Sequence, residues 1–529
     1  MDRIHVIYPE KLGIISKNIY GYFVEQIGAL IEGGVWVGEN SGIPNIHGIR
    51  QELVEKLRAI NASVFRWPGG CTAEVYDWRD GIGPPEKRPV SLAVAYRADG
   101  KAQANDFGTH EFIDFCRLAG ADPYICLNVA GSAPLESFKW MEYCNMPRGM
   151  TGLAKLREEN GSPEPFNIKY WGLGNENGNH GGMMTPEEYC AAYSRVVSIS
   201  WSILENRETI ASGPIWNNID WSRRFFASYN NRAPGWEGKQ LDGYSLHYYS
   251  GADGNDDTFS EEEWYQKLGN SMGMQKLIED QATILHEFDP ARHVGLVVDE
   301  WGSWTSAKRV PSYDRPLYLQ TGTMREALVA AITLNIFNNH CDIVKMANIT
   351  ALINYIHSLF MSEGEKLIVT PTYHVFDMMK AHQNATCIRT VCASETHNDV
   401  PRVTASASVK DGKTLLTLVN TQYADPTEVI IELHNGFFPA DVQIETLAAD
   451  DPHANNTFEN PSVVSVSRGS ASAGAGGHEL LVTLPAASVV CLSYQSGEAE
   501  GLNRETADRR EVRFSRIQPI EKMKARVLK

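Results

Sequence analysis

The sequence predicts an α/β fold, a (β/α)8 TIM barrel followed by a C-terminal all-β sandwich of jelly-roll type. Three observations carry that expectation. Between residues 18 and 382, eight short runs rich in β-branched and aromatic residues alternate with longer helical patterns, and strands alternating with helices build a parallel sheet. Eight units over roughly 360 residues suit a closed barrel with long loops better than an open sheet. Beyond residue 383 the helical patterns give way to short alternating segments separated by turn-rich loops, the pattern of a sandwich.

In chain order the barrel strands are expected at Ile19–Glu25, Val64–Pro68, Pro123–Val129, Lys169–Gly174, Thr209–Gly213, Gly243–Tyr248, Val294–Glu300 and Ile343–Asn348. The helix after the fourth strand is the best marked. Thr185 is its N-cap, Pro186 takes the first helical position and Glu188 completes a capping box. Tyr189, Ala192, Tyr193, Val196 and Val197 then follow at helical spacing and form one apolar face. In the C-terminal region Lys413–Val419, Thr427–Leu433, His478–Thr483 and Ser488–Tyr494 read as strands, and the Gly/Ala/Ser-rich stretch Ser467–Gly477 reads as a loop. The chain thus divides into a barrel over 18–382, a sandwich over 383–499 and a charged C-terminal extension over 500–529. That extension has nine Lys or Arg against five Asp or Glu and reads as solvated.

Composition excludes several function classes. The 529 residues include 48 Lys and Arg against 65 Asp and Glu, a net charge of −17. An acidic chain is a poor partner for nucleic acid or an anionic membrane, which both need basic surface. No apolar run approaches the roughly 18 residues of a membrane-spanning helix. The alternating residues 1–15 lack the continuous apolar core of a signal peptide. The nine cysteines are scattered with no C-x-x-C pair, so a reduced, cytoplasmic setting is expected. Twelve Trp, 21 Tyr and 18 Phe suffice both for a large core and for an aromatic-lined cleft.

Active sites of such barrels lie at the C-terminal ends of the strands. The fourth strand ends Gly174-Asn175-Glu176-Asn177 and the seventh ends Asp299-Glu300-Trp301-Gly302. Two carboxylates at opposite strand ends are what glycoside hydrolysis needs: one protonates the leaving oxygen, and the other attacks the anomeric carbon or activates water. Other strand ends supply partners: Glu25, the run Arg66-Trp67-Pro68-Gly69-Gly70-Cys71, and His247-Tyr248-Tyr249. Aromatic faces combined with carboxylates and amides suit a sugar, which makes Trp301 a further candidate contact. Arg66 reads as a positioning residue whose charge keeps a nearby nucleophile ionised. For His247, a catalytic role and a purely structural one are both open. No metal or organic cofactor is expected. His286-Glu287 with His293 has the wrong spacing for H-E-x-x-H, and Gly172-Leu173-Gly174-Asn175-Glu176-Asn177 lacks the last glycine of a dinucleotide fingerprint.

The run from Arg66 through Cys71-Thr72-Ala73-Glu74-Val75-Tyr76-Asp77-Trp78-Arg79-Asp80-Gly81 to Pro84 resembles a signature of glycoside hydrolase family 51, largely α-L-arabinofuranosidases. Phe107–Phe112, Tyr170–Asn177, Ser245–Tyr249 and Thr370–Phe376 extend the likeness from about residue 10 to 495. The resemblance implies a barrel with a C-terminal β-sandwich that the N-terminal strand, residues 1–17, joins. It implies Glu176 as general acid/base, Glu300 as nucleophile, Asn175 on the sugar 2-hydroxyl, Glu25 on other hydroxyls of that sugar, and Tyr249, or Tyr248 in the other register, touching the nucleophile. Three positions depart from it. Cys71 stands where many members have Asn, Ala351 where they have Gln, and Gly178 falls in a loop that lacks their usual Trp after the acid/base.

The expected function is that of a retaining exo-acting α-L-arabinofuranosidase releasing terminal non-reducing arabinofuranosyl groups from arabinose-containing oligo- and polysaccharides. The alternatives are an endo-β-glucanase or β-xylosidase on the same scaffold, or a carbohydrate-binding barrel without catalysis. The resemblance also implies a homo-oligomer, with hexamers frequent.

Overall fold

The computed structural model of the protein describes residues 2–92, 102–205, 207–231, 240–252, 254–305, 319–474, 476–495 and 497–498; the 500–529 extension lies outside them. Eight parallel strands close into a barrel, hydrogen-bonded in chain order with the last returning to the first. After β1 (Asp2–Ile14), they are β2 (Gly21–Phe23), β3 (Val64–Trp67), β4 (Asp122–Leu127), β5 (Tyr170–Leu173), β6 (Glu208–Ala211), β7 (Gly243–Ala252), β8 (Gly295–Thr305) and β9 (Val344–Ile349). Each overlaps the segment expected from sequence. β7 and β8 run further than expected and stay paired as far as Ala252 and Thr305, so together they rise beyond the other strands on the side of the mouth that carries Glu300.

A helix follows each barrel strand: α1 (Gln51–Ala59), α2 (Thr109–Ala119), α3 (Pro134–Asn145) with an added α4 (Gly152–Glu159), α5 (Pro186–Leu204), α6 (Ile219–Asn231), α7 (Glu261–Phe288), α8 (Met324–Asn339) and α9 (Pro371–Met379). The capping box of α5 forms as read: the Thr185 hydroxyl accepts from the Glu188 N–H at 3.3 Å, and the Glu188 carboxylate accepts from the Thr185 N–H at 2.8 Å. α8 is buried from Met324 to Asn338, so the polar residues it carries need hydrogen-bond partners. One face packs on β8 and the other on the C-terminal sheet, where Ser406 bonds Asn335 at 2.7 Å and Asn338 at 3.2 Å. Among the described residues no helix is long and apolar enough to cross a membrane.

The C-terminal domain takes the form of one continuous nine-stranded sheet. Its strands besides β1 are β10 (Thr386–Ala393), β11 (Val403–Lys410), β12 (Lys413–Asn420), β13 (Thr427–His434), β14 (Val442–Leu447), β15 (Val466–Ala471), β16 (Glu479–Leu484) and β17 (Ser488–Gln495). Their order is β15-β14-β17-β12-β11-β10-β1-β13-β16. β1 lies antiparallel to β10 and parallel to β13, so the first residues of the chain close the middle of the last domain. The edge strand β16 also touches β17, so the sheet curls around a core that includes Ile4, Val6, Ile431, Leu480 and Leu492.

His382, between α9 and β10, joins the two domains. Its ring is fully buried and hydrogen-bonded at both nitrogens, to Ser408 Oγ at 2.7 Å and Thr417 Oγ1 at 2.9 Å. Burial lowers its pKa to about 3, so the folded protein holds it neutral while the unfolded chain protonates it below about 6.5. Its contribution to stability is therefore whole at pH 7 and is lost progressively as pH falls from about 6.5 towards 3. His382→Ala should cost about 2 kcal/mol at pH 7, because it leaves two buried hydroxyls without that partner. In urea unfolding followed from pH 7 to pH 4, the gap between wild type and variant should narrow; a constant gap would contradict a neutral His382.

Candidate active site

A buried arginine at the end of β3 organises the barrel mouth. The Arg66 guanidinium, with no solvent exposure, directs Nη1 to Glu300 Oε1 at 2.8 Å, Nη2 to Asn175 Oδ1 at 2.7 Å and Nε to Asp299 Oδ2 at 3.2 Å. A charge so deep is tolerable only when paired and hydrogen-bonded. Asp299 and Glu300 are neighbours on β8, and regular alternation would send them to opposite faces. The β7–β8 pairing passes from Ser245–Val297 to His247–Glu300, two residues on one strand against three on the other. That bulge turns both carboxylates inward.

His247 joins the two sides of the site. Its Nε2 lies 3.1 Å from Asp299 Oδ1, and its Nδ1 lies 2.9 Å from Glu176 Oε1 and 3.5 Å from Glu300 Oε2. Burial alone would lower the imidazole pKa, but Glu300, Asp299 and Glu176 together raise it to about 10. Burial likewise pushes the Glu176 carboxyl up, yet the His247 hydrogen bond and charge outweigh it and hold Glu176 below the ordinary range. Asp299 is held low in the same way: burial raises it, and Arg66 and His247 more than offset that. Tyr249, two residues beyond His247 on the same strand face, donates its hydroxyl to Glu300 Oε2 at 2.7 Å. Tyr248 points away and donates instead to the Asn270 carbonyl.

Glu176 stands on the loop after β5 with a left-handed φ of +46°, a conformation that costs energy for any side chain but glycine and persists only where surroundings impose it. Glu74 imposes it. One Glu74 oxygen accepts the Asn175 N–H at 2.8 Å and Asn177 Nδ2 at 2.6 Å; the other accepts the Val129 and Ala130 N–H groups at 2.9 and 2.8 Å. The loops after β4 and β5 are thereby clamped to the Cys71–Glu74 turn. Within Pro68-Gly69-Gly70, a Cβ on Gly69 would lie 2.3 Å from Glu25 Cγ and one on Gly70 2.7 Å from Glu300 Oε1, so the backbone passes both carboxylates only as glycine.

These groups border a cavity of about 390 Å³ lined by residues that include Phe23, Glu25, Cys71, Glu176, Trp216, Tyr249, Glu300, Trp304 and Tyr355. Glu25 accepts the Thr72 N–H at 3.0 Å; burial, reinforced by the Glu300 charge, pushes its pKa up to about 7. Burial and the three carboxylates around Cys71 push its thiol far above the usual range, so Cys71 presents a neutral S–H. Asn175 Nδ2 is buried with no hydrogen-bond partner, a donor suited to a ligand hydroxyl. One oxygen each of Glu176 and Glu300 and a His247 nitrogen lie within 4.8 Å of one another, a spacing that would admit a metal ion. Arg66 and the Tyr249 hydroxyl, however, already donate to the two oxygens of Glu300, and His247 Nδ1 is paired with Glu176 Oε1, so these carboxylates are already engaged by side chains.

Residues 56–260 match the model of the α-L-arabinofuranosidase 1 domain, and residues 299–488 match that of the α-L-arabinofuranosidase C-terminal domain. An intracellular exo-α-L-arabinofuranosidase of Bacteroides ovatus is 37% identical over 91% of this chain and 93% of its own length. The crystal structure of the family 51 (GH51) arabinofuranosidase from Xanthomonas axonopodis pv. citri superposes with a TM-score of 0.86 at 34% identity, covering 94% of this chain and all of that one. The chain belongs to glycoside hydrolase family 51. The α-L-arabinofuranosidase of Thermotoga maritima, solved as an arabinose complex, superposes with a TM-score of 0.82 at 28% identity over 94% of this chain and all of that one.

Within this family 51 hydrolase, Glu25, Cys71, Glu176, Tyr249 and Glu300 line the cavity, while Arg66, Asn175 and His247 form the buried layer behind them. Trp301 is a correction. It was expected to contact substrate, but its ring faces outward into the core, 5.4 Å from Phe337 of α8 and stacked 6.5 Å from Phe376 of α9, because Glu300 before it faces inward. Ala351 is fully buried, and its neighbour Thr350 lines the cavity together with Tyr355. Gly178 has a steric reason: a Cβ there would stand 2.4 Å from the Trp221 ring. Sequence reading missed Asp299, Glu74, Tyr124, which donates to Asp299 at 3.0 Å, and Trp216. Asp299 and Glu74 both stood inside quoted motifs, and only their partners reveal their roles.

Glu74→Gln tests the clamp. Glutamine offers one carbonyl oxygen, so two of the four N–H donors lose their acceptor at about 1–3 kcal/mol each. The variant should unfold at lower denaturant and lose at least about tenfold in kcat/KM as Glu176 shifts. Wild-type values for both would show that other contacts hold the loop.

Proposed function

We propose that the protein is a retaining exo-α-L-arabinofuranosidase in which Glu300 is the nucleophile and Glu176 the general acid/base. The observation that carries this reading is the approach of Glu176 and Glu300 to within 4.8 Å, oxygen to oxygen, across one cavity. Retaining glycosidases keep their carboxyl groups about 5–5.5 Å apart, whereas inverting ones leave about 6.5–9.5 Å for a water. The modest cavity suits a terminal sugar and the start of its aglycone. The relatives named as arabinofuranosidases support the choice of sugar, and the Bacteroides ovatus enzyme, named intracellular, supports a cytoplasmic one.

In this mechanism Arg66 and Tyr249 donate to the two oxygens of Glu300 and hold it aimed at the anomeric carbon. Glu176 and His247 share one proton across their 2.9 Å contact, and in the free enzyme it rests on His247. Among the groups that raise the affinity of His247 for that proton, the charge of Glu300 is the largest. Attack converts the Glu300 carboxylate into an uncharged glycosyl ester, which weakens that hold just as the leaving oxygen needs a proton. The proton passes from His247 through Glu176 to the departing oxygen. In the second step Glu176 takes a proton from water, the hydroxide attacks the anomeric carbon, and Glu300 is released as carboxylate. Glu25, Cys71 and Asn175 hold the hydroxyls of the terminal sugar.

Purified enzyme should hydrolyse an aryl α-L-arabinofuranoside in preference to the β-D-xyloside and β-D-glucoside, and Glu300→Ala should abolish that turnover. Activity on another glycoside alone would reassign the sugar. Glu176→Ala should lose about 10²–10⁴-fold on substrates whose leaving group needs a proton and much less on those with acidic phenols. Because Glu25 titrates at about 7 and accepts sugar hydroxyls when ionised, kcat/KM should rise with pH through neutrality in wild type, and Glu25→Gln should lack that rise. At alkaline pH the rate should fall as the Glu176–His247 pair gives up its proton, since His247 releases it near 10.

A further inference from the structure

We propose that Trp216 is the platform on which the sugar carrying the scissile arabinofuranosyl group stacks, so that it selects oligosaccharide over small aglycones. The inference rests on the reading of Glu176 and Glu300 above and extends it to the leaving-group side. Trp216 is 53% exposed and lines the same cavity as both carboxylates. It follows β6, which in an eight-strand closed order stands opposite β2, the strand leading to Glu25. A terminal sugar held by Glu25 and Cys71 therefore directs its glycosidic oxygen towards the Trp216 side.

The backbone ties the indole to the proton donor. Ile215 bridges to His247, and the Trp216 N–H donates to the His247 carbonyl at 3.2 Å, while the His247 ring bonds Glu176 at 2.9 Å. Trp216 also has a left-handed φ of +58°; for a bulky residue that conformation survives only where the surroundings impose it, and such positions gather at ligand sites. The ring is braced rather than loose. Tyr248 meets it edge-on at 5.9 Å and 79°, and Tyr248 is itself anchored by its hydroxyl to the Asn270 carbonyl at 2.6 Å. The next residue, Asn217, is bonded to Asp280 on α7. A braced, half-exposed indole beside a proton donor, with the polar side chains of Asn179 and His180 on the same wall, has the chemistry to take the C–H face of a sugar ring while its hydroxyls meet polar groups.

The test compares kcat/KM on α-1,5-linked arabinotriose and on an arabinosyl xylo-oligosaccharide with kcat/KM on methyl α-L-arabinofuranoside, whose aglycone is too small to stack. Trp216→Ala should lower the value on at least one oligosaccharide about tenfold or more, leave the methyl glycoside within about twofold, and be largely rescued by Trp216→Phe. Equal losses on all substrates, or none on any, would overturn the proposal. Should the Ala variant fail to fold, Trp216→Leu, which keeps bulk but loses the flat face, must give the same split. A wild type inactive on methyl and aryl arabinofuranosides alike would instead refute the underlying sugar assignment, a result separable from the ratio that tests Trp216.

Discussion

The buried guanidinium of Arg66 is the constraint on which the rest of the site depends. A cation with no exposure must find counter-charge and acceptors within reach, and it finds Glu300, Asp299 and the Asn175 amide. Meeting that need brings β3, β5 and β8 into one register at their C-terminal ends. The second carboxylate, Asp299, in turn supports the protonated His247, which reaches Glu176. One desolvated charge thus sets the orientation of Glu300, the Asn175 amide and, through Asp299 and His247, Glu176 together.

Around this core a division of labour follows from charge. Asp299, which does not line the cavity, balances Arg66 and His247 from behind and leaves Glu300 to border the cavity. Glu74 does with three backbone donors and the Asn177 amide what Arg66 does with side chains. Its four accepted N–H bonds hold the Asn175-Glu176-Asn177 turn in a conformation the turn would not take alone. The two non-glycine residues that border the cavity with left-handed φ, Glu176 and Trp216, are both anchored by hydrogen bonds to His247. Strain of this sort is offset by the surrounding network, which is why it gathers where substrate is handled.

The C-terminal sheet matters to the site through α8. That helix is buried between β8 and the sheet, so the strand that bears Glu300 is backed by a second domain rather than by solvent. β1 closes the sheet from the other end of the chain, and His382 bonds across the boundary. The curled sheet thereby acts as a wall behind the strand that bears Glu300.

Much of this was legible in the residues. Eight apolar segments punctuated by helical patterns specify a barrel, because strand and helix periodicities survive in any context. The carboxylates at the ends of the fourth and seventh strands mark the mouth, because an apolar strand that ends in Glu is costly without a purpose. The choice of Tyr249 over Tyr248 and the wrong placing of Trp301 both turn on alternation along a strand, and alternation was broken once, by the bulge that turns Asp299 inward. Periodicity cannot register an irregularity of one residue. Nor can it show that Gly178 is small because Trp221 fills its space, or that Glu74 closes a loop a hundred residues away. The sequence by itself determined the elements, their order and the chemical types at the barrel mouth, since those follow from local pattern. Only the tertiary structure decided which charges are paired, which side chain joins Glu176 to Asp299 and which tryptophan faces the cavity, since electrostatics and packing depend on distances between residues far apart in the chain.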